Sequence, residues 1–193
     1  MTHRLFAAGL LSLALDGTAP AQAQSSEPVP AVQWVEFEDG LKAASATGKH
    51  IMVDVYTDWC GYCKKLESET YSEEGVRRVL AESFISIKLK GDSGKKLKVT
   101  ARTVESQGKT LLQFVTTDTA SSSEAAISRG ALKARGFPTI AFLAPDGRLI
   151  TTRGGYVNAE QFIPIINYIK DDLYEVMTFD DYLRSLAKAE EKS

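Results

Sequence analysis

The sequence is poor in metal-binding and crosslinking side chains. Of its 193 residues only two are cysteine, Cys60 and Cys63, and only two are histidine, His3 and His50. Two cysteines cannot build a disulfide-rich scaffold. A structural zinc site needs four ligands, so no metal site is expected. An excess of charge of either sign is also missing: the formal net charge is −2. Non-specific nucleic-acid binding requires an excess of Lys and Arg, so no nucleic-acid partner is expected. There is no apolar run long enough to cross a bilayer, which takes about 20 residues. What the chain does have is 44% hydrophobic residues and 25% charged ones. That is too apolar for a disordered chain, and the length suits one core.

The longest apolar run, residues 5–15, lies near the start and follows His3 and Arg4. Ala21-Gln22-Ala23 then supplies an Ala-x-Ala cleavage signal. Residues 1–23 read as a secretory signal peptide and 24–31 as a linker. The mature protein is expected to be soluble, periplasmic and without direct membrane insertion. Export would put Cys60 and Cys63 in an oxidising compartment. A disulfide closing four residues contributes only about 1.9 kcal/mol in the chain-entropy model, against about 3 for fifteen. The spacing serves redox chemistry better, because a second thiolate can attack a mixed disulfide formed by the first.

Hydrophobic patterning predicts an α/β domain. Residues 32–37 alternate and suggest a strand, and 39–47 a helix ended by Gly48. Residues 50–56 suggest a buried central strand, and 60–71 a helix. Ser72 would cap a helix over 73–82, before a strand at 84–90. Residues 96–104 and 110–116 suggest a hairpin around Gln107-Gly108. Ser121–Ser123 would cap a helix reaching about residue 135, weakened by Gly130. Strands at 139–143 and 148–153 flank the turn Pro145-Asp146-Gly147. Asn158 would cap a helix in which Pro164 predicts a kink or a later start. Thr178-x-x-Asp181 opens an amphipathic tail helix. Its Phe179/Tyr182/Leu183/Leu186 stripe reads as packed on the core, or else as a partner-docking face.

Met52-Val-Asp54-Val-Tyr-Thr-Asp-Trp59-Cys60-Gly61-Tyr62-Cys63 leads from buried strand through a tight turn into a helix. Cys60 would therefore stand at a helix N-terminus, where free backbone N–H groups stabilise a thiolate. A thiol of pKa about 8.5 is about 3% ionised at pH 7, and a shift to about 7 makes that roughly half. Cys63, one turn on, would be the shielded thiol.

This stretch resembles thioredoxin-fold proteins. Trp59-Cys60-Gly61-Tyr62-Cys63-Lys64 matches their active-site motif, and Asp54 their buried carboxylate. Arg135-Gly136-Phe137-Pro138-Thr139 matches their cis-proline loop, although it lies further from the cysteines than in a minimal thioredoxin. An insertion at about 91–121 would account for the excess. Thr70-Tyr71-Ser72-Glu73-Glu74 is similar to the helix break in the C-terminal domain of DsbD-type reductases. The hairpin and the tail resemble stand-alone SoxW-type thioredoxins. The resemblance spans residues 33–187, leaving a thioredoxin-like domain at 32–172 and a helical tail at 173–193.

The resemblance implies a thioredoxin fold with a mixed central sheet, a hairpin insertion and a C-terminal amphipathic helix. It implies that Cys60 attacks, Cys63 resolves and Asp54 exchanges a proton. The alternative for Asp54 is a strand-end carboxylate paired with Lys88. Trp59, Gly61, Tyr62, Phe137 and Pro138 would contact the substrate, unless the two aromatics are ordinary surface residues. His50 reads as a solvent-edge strand residue. The implied partners are substrate proteins with disulfides and a separate membrane or periplasmic electron donor. No cofactor is implied beyond the cysteine pair itself. The inner dipeptide, Gly61-Tyr62, lacks the histidine of oxidants and isomerases, which favours reduction. An oxidase or isomerase, or a non-catalytic binding module, are the alternatives.

Overall fold

The computed structural model describes residues 28–192. The expected signal peptide and residues 24–27 of the linker lie outside the described residues.

A five-stranded mixed sheet organises the chain. Its strands, in spatial order, are β1 (Trp34–Val35), β3 (Phe84–Lys90), β2 (His50–Tyr56), β8 (Thr139–Leu143) and β9 (Leu149–Gly154). The first three run parallel, and β8 and β9 run antiparallel to their neighbours. Central β2 is buried almost throughout. Ile51, Val53 and Val55 point to one core and Met52 to the other, following the two-residue period of a strand.

Helix α1 (Phe37–Thr47) covers the first face with Phe37, Leu41 and Ala44. It begins earlier than the alternation of residues 32–37 suggests, because Phe37 shares a helical stripe with Leu41 and Ala44. The second face is covered by α3 (Glu74–Ser83) and α5 (Ala159–Lys170), which bury Val76, Leu80, Phe162, Ile166 and Ile169. Between β2 and α3 lie α2 (Gly61–Lys65) and a π-helical turn, Leu66–Thr70. Ser72 does not cap α3; its hydroxyl donates instead to the Ser68 carbonyl. Asn158 does cap α5, accepting from the Gln161 N–H. The helix starts at once and runs on through Pro164. The missing N–H frees only the carbonyl of Glu160, which is exposed.

The insertion is built from β4 (Lys96–Leu97), β5 (Val99–Ser106), β6 (Lys109–Thr116) and β7 (Ser122–Ser123). The expected first strand is split at Lys98. β4 pairs with β7, and β5 with β6. Gln107 and Gly108 both have positive φ (51° and 72°), as a two-residue hairpin turn requires. Phe114 anchors the hairpin by packing on Phe37, with ring centroids 5.5 Å apart. Its N–H donates to the Gly147 carbonyl at 2.9 Å. A Cβ on Gly147 would lie 2.3 Å from the Phe114 carbonyl oxygen, so only glycine fits that turn. The helix expected to reach residue 135 stops early. Ser123 caps α4 (Glu124–Ala126), which passes into a π-helical turn, Ile127–Ala131. Lys133 then takes a left-handed backbone conformation and redirects the chain.

The tail packs on α5. The Tyr168 ring meets Phe179 and Tyr182 of α6 (Phe179–Glu190) at 5.2 and 5.6 Å, and its hydroxyl donates to the Met177 carbonyl. His50 is buried, not at the solvent edge. Its Nε2 lies 3.1 Å from Asp172, just after α5, and 3.3 Å from the hydroxyl of Tyr174 in the tail. Burial holds its pKa below the usual histidine value, against the opposing pull of Asp172. Tyr168→Ala removes two aromatic contacts, each about 0.5–1.5 kcal/mol beyond area burial. It should lower Tm and speed proteolysis of the last 20 or so residues at least about tenfold, as limited trypsin digestion would show; unchanged cleavage would mean that the tail is held elsewhere.

Candidate functional site

The site forms where β2 leaves the sheet. The Cys60 N–H donates to the Thr57 carbonyl at 3.2 Å, closing the turn. Cys60 is then the N-cap of α2, in extended conformation, and its Sγ accepts from the Cys63 N–H at 3.0 Å. A cap accepts what the first helical turn cannot satisfy internally. The same N–H points at the place where a thiolate charge would develop. Cys60 and Cys63 are joined by a disulfide, S–S 2.04 Å. Cys63 is shielded as expected, and Cys60 is buried equally: both residues are 4% exposed. Exposed neighbours flank them, with Trp59 at 70% and Tyr62 at 63%.

An aromatic rim surrounds the disulfide. The Trp59 indole N–H donates to Asp92 at 3.1 Å, and its ring stands edge-on to Phe137 at 5.7 Å. Tyr62 lies 6.3 Å from Tyr156 on the other side. Gly61 between them is exposed and uncrowded. The Phe137–Pro138 peptide is cis. Its loop is pinned by Gly155 N–H donating to the Pro138 carbonyl and by the Thr139 hydroxyl donating to the Gly136 carbonyl, both at 2.8 Å. The backbone N–H and C=O of Phe137 make no hydrogen bond among the described residues.

Asp54 lies on β2 and is fully buried. Its partner in register on β3 is Lys88, whose Nζ lies 2.7 Å from Oδ2. The two readings of Asp54 are therefore compatible: it is a buried carboxyl and it is paired with Lys88. Lys88 also reaches Glu67, 3.3 Å away, and its ammonium sits over the rings of Trp34 and Tyr56 at 4.5 and 4.9 Å. Burial raises the Asp54 pKa, and Lys88 offsets only part of that rise. The other oxygen, Oδ1, has no hydrogen-bond partner among the described residues, and neither do the buried hydroxyls of Thr57 and Tyr71. Burial pushes the Tyr71 hydroxyl well up, helped by the negative charges of Asp54 and Glu67.

Glu67, Tyr71, Asp92 and Tyr156 escape a reading of the sequence. Glu67 had a usable signal, since it lies four residues after Cys63 on the same helical face. Asp92 and Tyr156 reach the site from distant turns and leave no local pattern.

A thioredoxin-like domain model matches residues 37–170. The chain belongs to the thioredoxin-like family. It is 33% identical over 122 residues to the thiol:disulfide interchange protein DsbD of Yersinia enterocolitica, covering 62% of this chain and 16% of that protein. The corresponding protein of Ralstonia nicotianae is 43% identical over 47 residues, 24% of this chain and 8% of its own length. This thioredoxin-like chain thus matches only a minor part of the curated relatives. The solution structure of a thioredoxin from Thermus thermophilus superposes with a TM-score of 0.53 at 18% identity, covering 72% of this chain and 88% of that one. The family and the similarity to DsbD thus coincide with a disulfide-bonded Cys-x-x-Cys pair at the site.

The raised Asp54 pKa sets a pH dependence. A carboxyl whose folded pKa lies above its unfolded value favours the folded state only while protonated. Its ionisation costs stability as pH rises through the window above 3.8, and the cost is constant beyond it. Asp54→Asn should raise the Tm of the oxidised protein by several degrees at pH 8, and the gain should vanish towards pH 4. Scanning calorimetry at the two pH values checks this; a lower Tm at pH 8 would mean that the Lys88 pair outweighs the burial.

Proposed function

We propose that this protein is an exported protein-disulfide reductase working through the Cys60-Gly-Tyr-Cys63 dithiol. The observation that carries the proposal is the Cys60 sulfur, placed at a helix start, receiving the Cys63 N–H and ringed by the exposed Trp59 and Tyr62. In the reduced enzyme, the Cys60 thiolate attacks one sulfur of a substrate disulfide. A mixed disulfide forms and the first substrate thiolate leaves. Cys63 then loses its proton and attacks Cys60 Sγ. The Cys60–Cys63 disulfide closes, the second substrate thiolate leaves, and two electrons have passed to the substrate.

Asp54 is the proposed acceptor of the Cys63 proton. A carboxyl whose pKa burial raises takes up a proton more readily than a surface carboxylate, which suits that task. Phe137 and Pro138 would receive the substrate chain, since the Phe137 backbone groups are unused. Trp59, Gly61 and Tyr62 would shape the contact face. The oxidised enzyme needs two electrons from a separate membrane or periplasmic donor. A periplasmic location is supported by the leader sequence and by the similarity to DsbD. No helix among the described residues is long and apolar enough to cross a membrane.

Insulin reduction with a recycling thiol tests the reading. Cys60→Ser should fall to the uncatalysed rate, at least about a hundredfold below wild type. Cys63→Ser should accumulate a mixed disulfide visible by mass spectrometry. Wild-type turnover in Cys60→Ser would defeat the proposal.

A further inference from the structure

Next to the cis-proline loop lies an open cavity of about 310 Å3. Phe137 and Thr139 form the wall nearest the disulfide, Thr152 and Gly154 of β9 another, and Lys133 and Arg135 the third. We infer that this cavity binds an acidic segment of the substrate protein, a few residues from its reacting cysteine, with Lys133 and Arg135 as the carboxylate-binding pair. The inference rests on the disulfide-reductase reading of the site.

Three independent observations converge on it. The first is charge. Lys133 and Arg135 are exposed, and neither makes an ion pair or hydrogen bond among the described residues. The acidic side chains around the disulfide are engaged elsewhere: Asp58 with Lys90, Glu67 with Lys88, Glu69 with Lys65 and the Tyr156 hydroxyl, and Asp92 with the Trp59 indole. Two cations therefore face this cavity without an internal counter-charge, and no acidic side chain lines it.

The second is backbone strain. Lys133 has φ +52°, a left-handed conformation that is strained for a side-chain-bearing residue. Glycine would relieve that strain. A lysine held there, three residues before Gly136 and four before Phe137, fits a residue whose charge has a use at the edge of the site.

The third is access for an extended chain. Phe137, whose backbone groups are free, touches Trp59 beside Cys60, so a substrate strand seated at Phe137 passes from the disulfide into the cavity. β9 is the last strand of the sheet, and its end, Gly154 followed by Gly155, carries no side chain to block approach. At about 3.3 Å per residue, a carboxylate a few positions from the substrate cysteine is within reach.

The full-length reduced protein can be assayed against disulfide-bridged peptides that differ only in three flanking residues, acidic, neutral or basic. At low ionic strength kcat/KM should be about fivefold higher for the acidic peptide than for the neutral one, and the gap should close as salt rises to about 0.5 M. The double variant Lys133→Glu/Arg135→Glu should reverse the order and favour the basic peptide. Lys133→Gly, which suits the local backbone, and Arg135→Gln should each cut the acidic-to-neutral ratio to about twofold. Equal rates for the three wild-type peptides, or an acidic preference that survives the double reversal, would overturn the carboxylate pair and leave the reductase reading standing. Failure to reduce any of the peptides would overturn both.

Discussion

The pairing of Asp54 with Lys88 is the constraint on which the rest of the structure turns. A carboxylate in the middle strand of a sheet covered on both faces is costly, because leaving water takes several kcal/mol from each ion. Parallel pairing of β2 with β3 puts Lys88 at the same register, and its ammonium reaches Asp54, Glu67 and two aromatic faces at once. The compensation is incomplete: one carboxyl oxygen stays unpaired, and burial still raises the pKa. A group left in that state holds its proton more readily than a surface carboxylate. Its place on the strand that delivers Cys60 links the most expensive feature of the core to the one pair of sulfurs.

The same strand separates the two ends of the molecule. β2 has seven residues, roughly 23 Å at 3.3 Å per residue. One end opens into the turn that carries the disulfide. The other begins at His50, buried against Asp172 and the tail residue Tyr174. Hairpin and tail therefore add to the domain without covering the rim of Trp59, Tyr62 and Phe137. The hairpin is fastened through Phe114 to α1, and the tail through Tyr168 to α5.

Much of this was legible from local chemistry. β2 follows from an apolar run interrupted at Asp54, β3 from the apolar Phe84, Ile85, Ile87 and Leu89, and the Asn158 and Thr178 caps from side chains that satisfy the first helical turn. Gln107-Gly108 marked its turn because few other pairs tolerate two left-handed residues in succession. The failures have physical causes. Phe37 fits both a strand alternation and a helical stripe, and packing on Phe114 settles it as helix. Ser72 bonds backwards to Ser68, so α3 starts without a side-chain cap. His50 looks solvated until its partners, 122 and 124 residues away, close over it. Asp54 and Lys88 could be named from the sequence, but not that burial and pairing would coexist. The unpaired state of Lys133 and Arg135 emerges only once the neighbouring acids have found their partners.

The proposed role of the Cys60–Cys63 pair, a source of electrons for other proteins, is tested most directly by its reduction potential. Equilibration with glutathione, read by the fraction of oxidised protein, should give a value well below about −200 mV. A value near −120 mV, that of a strong oxidant, would contradict the account and make the protein a donor of disulfides instead.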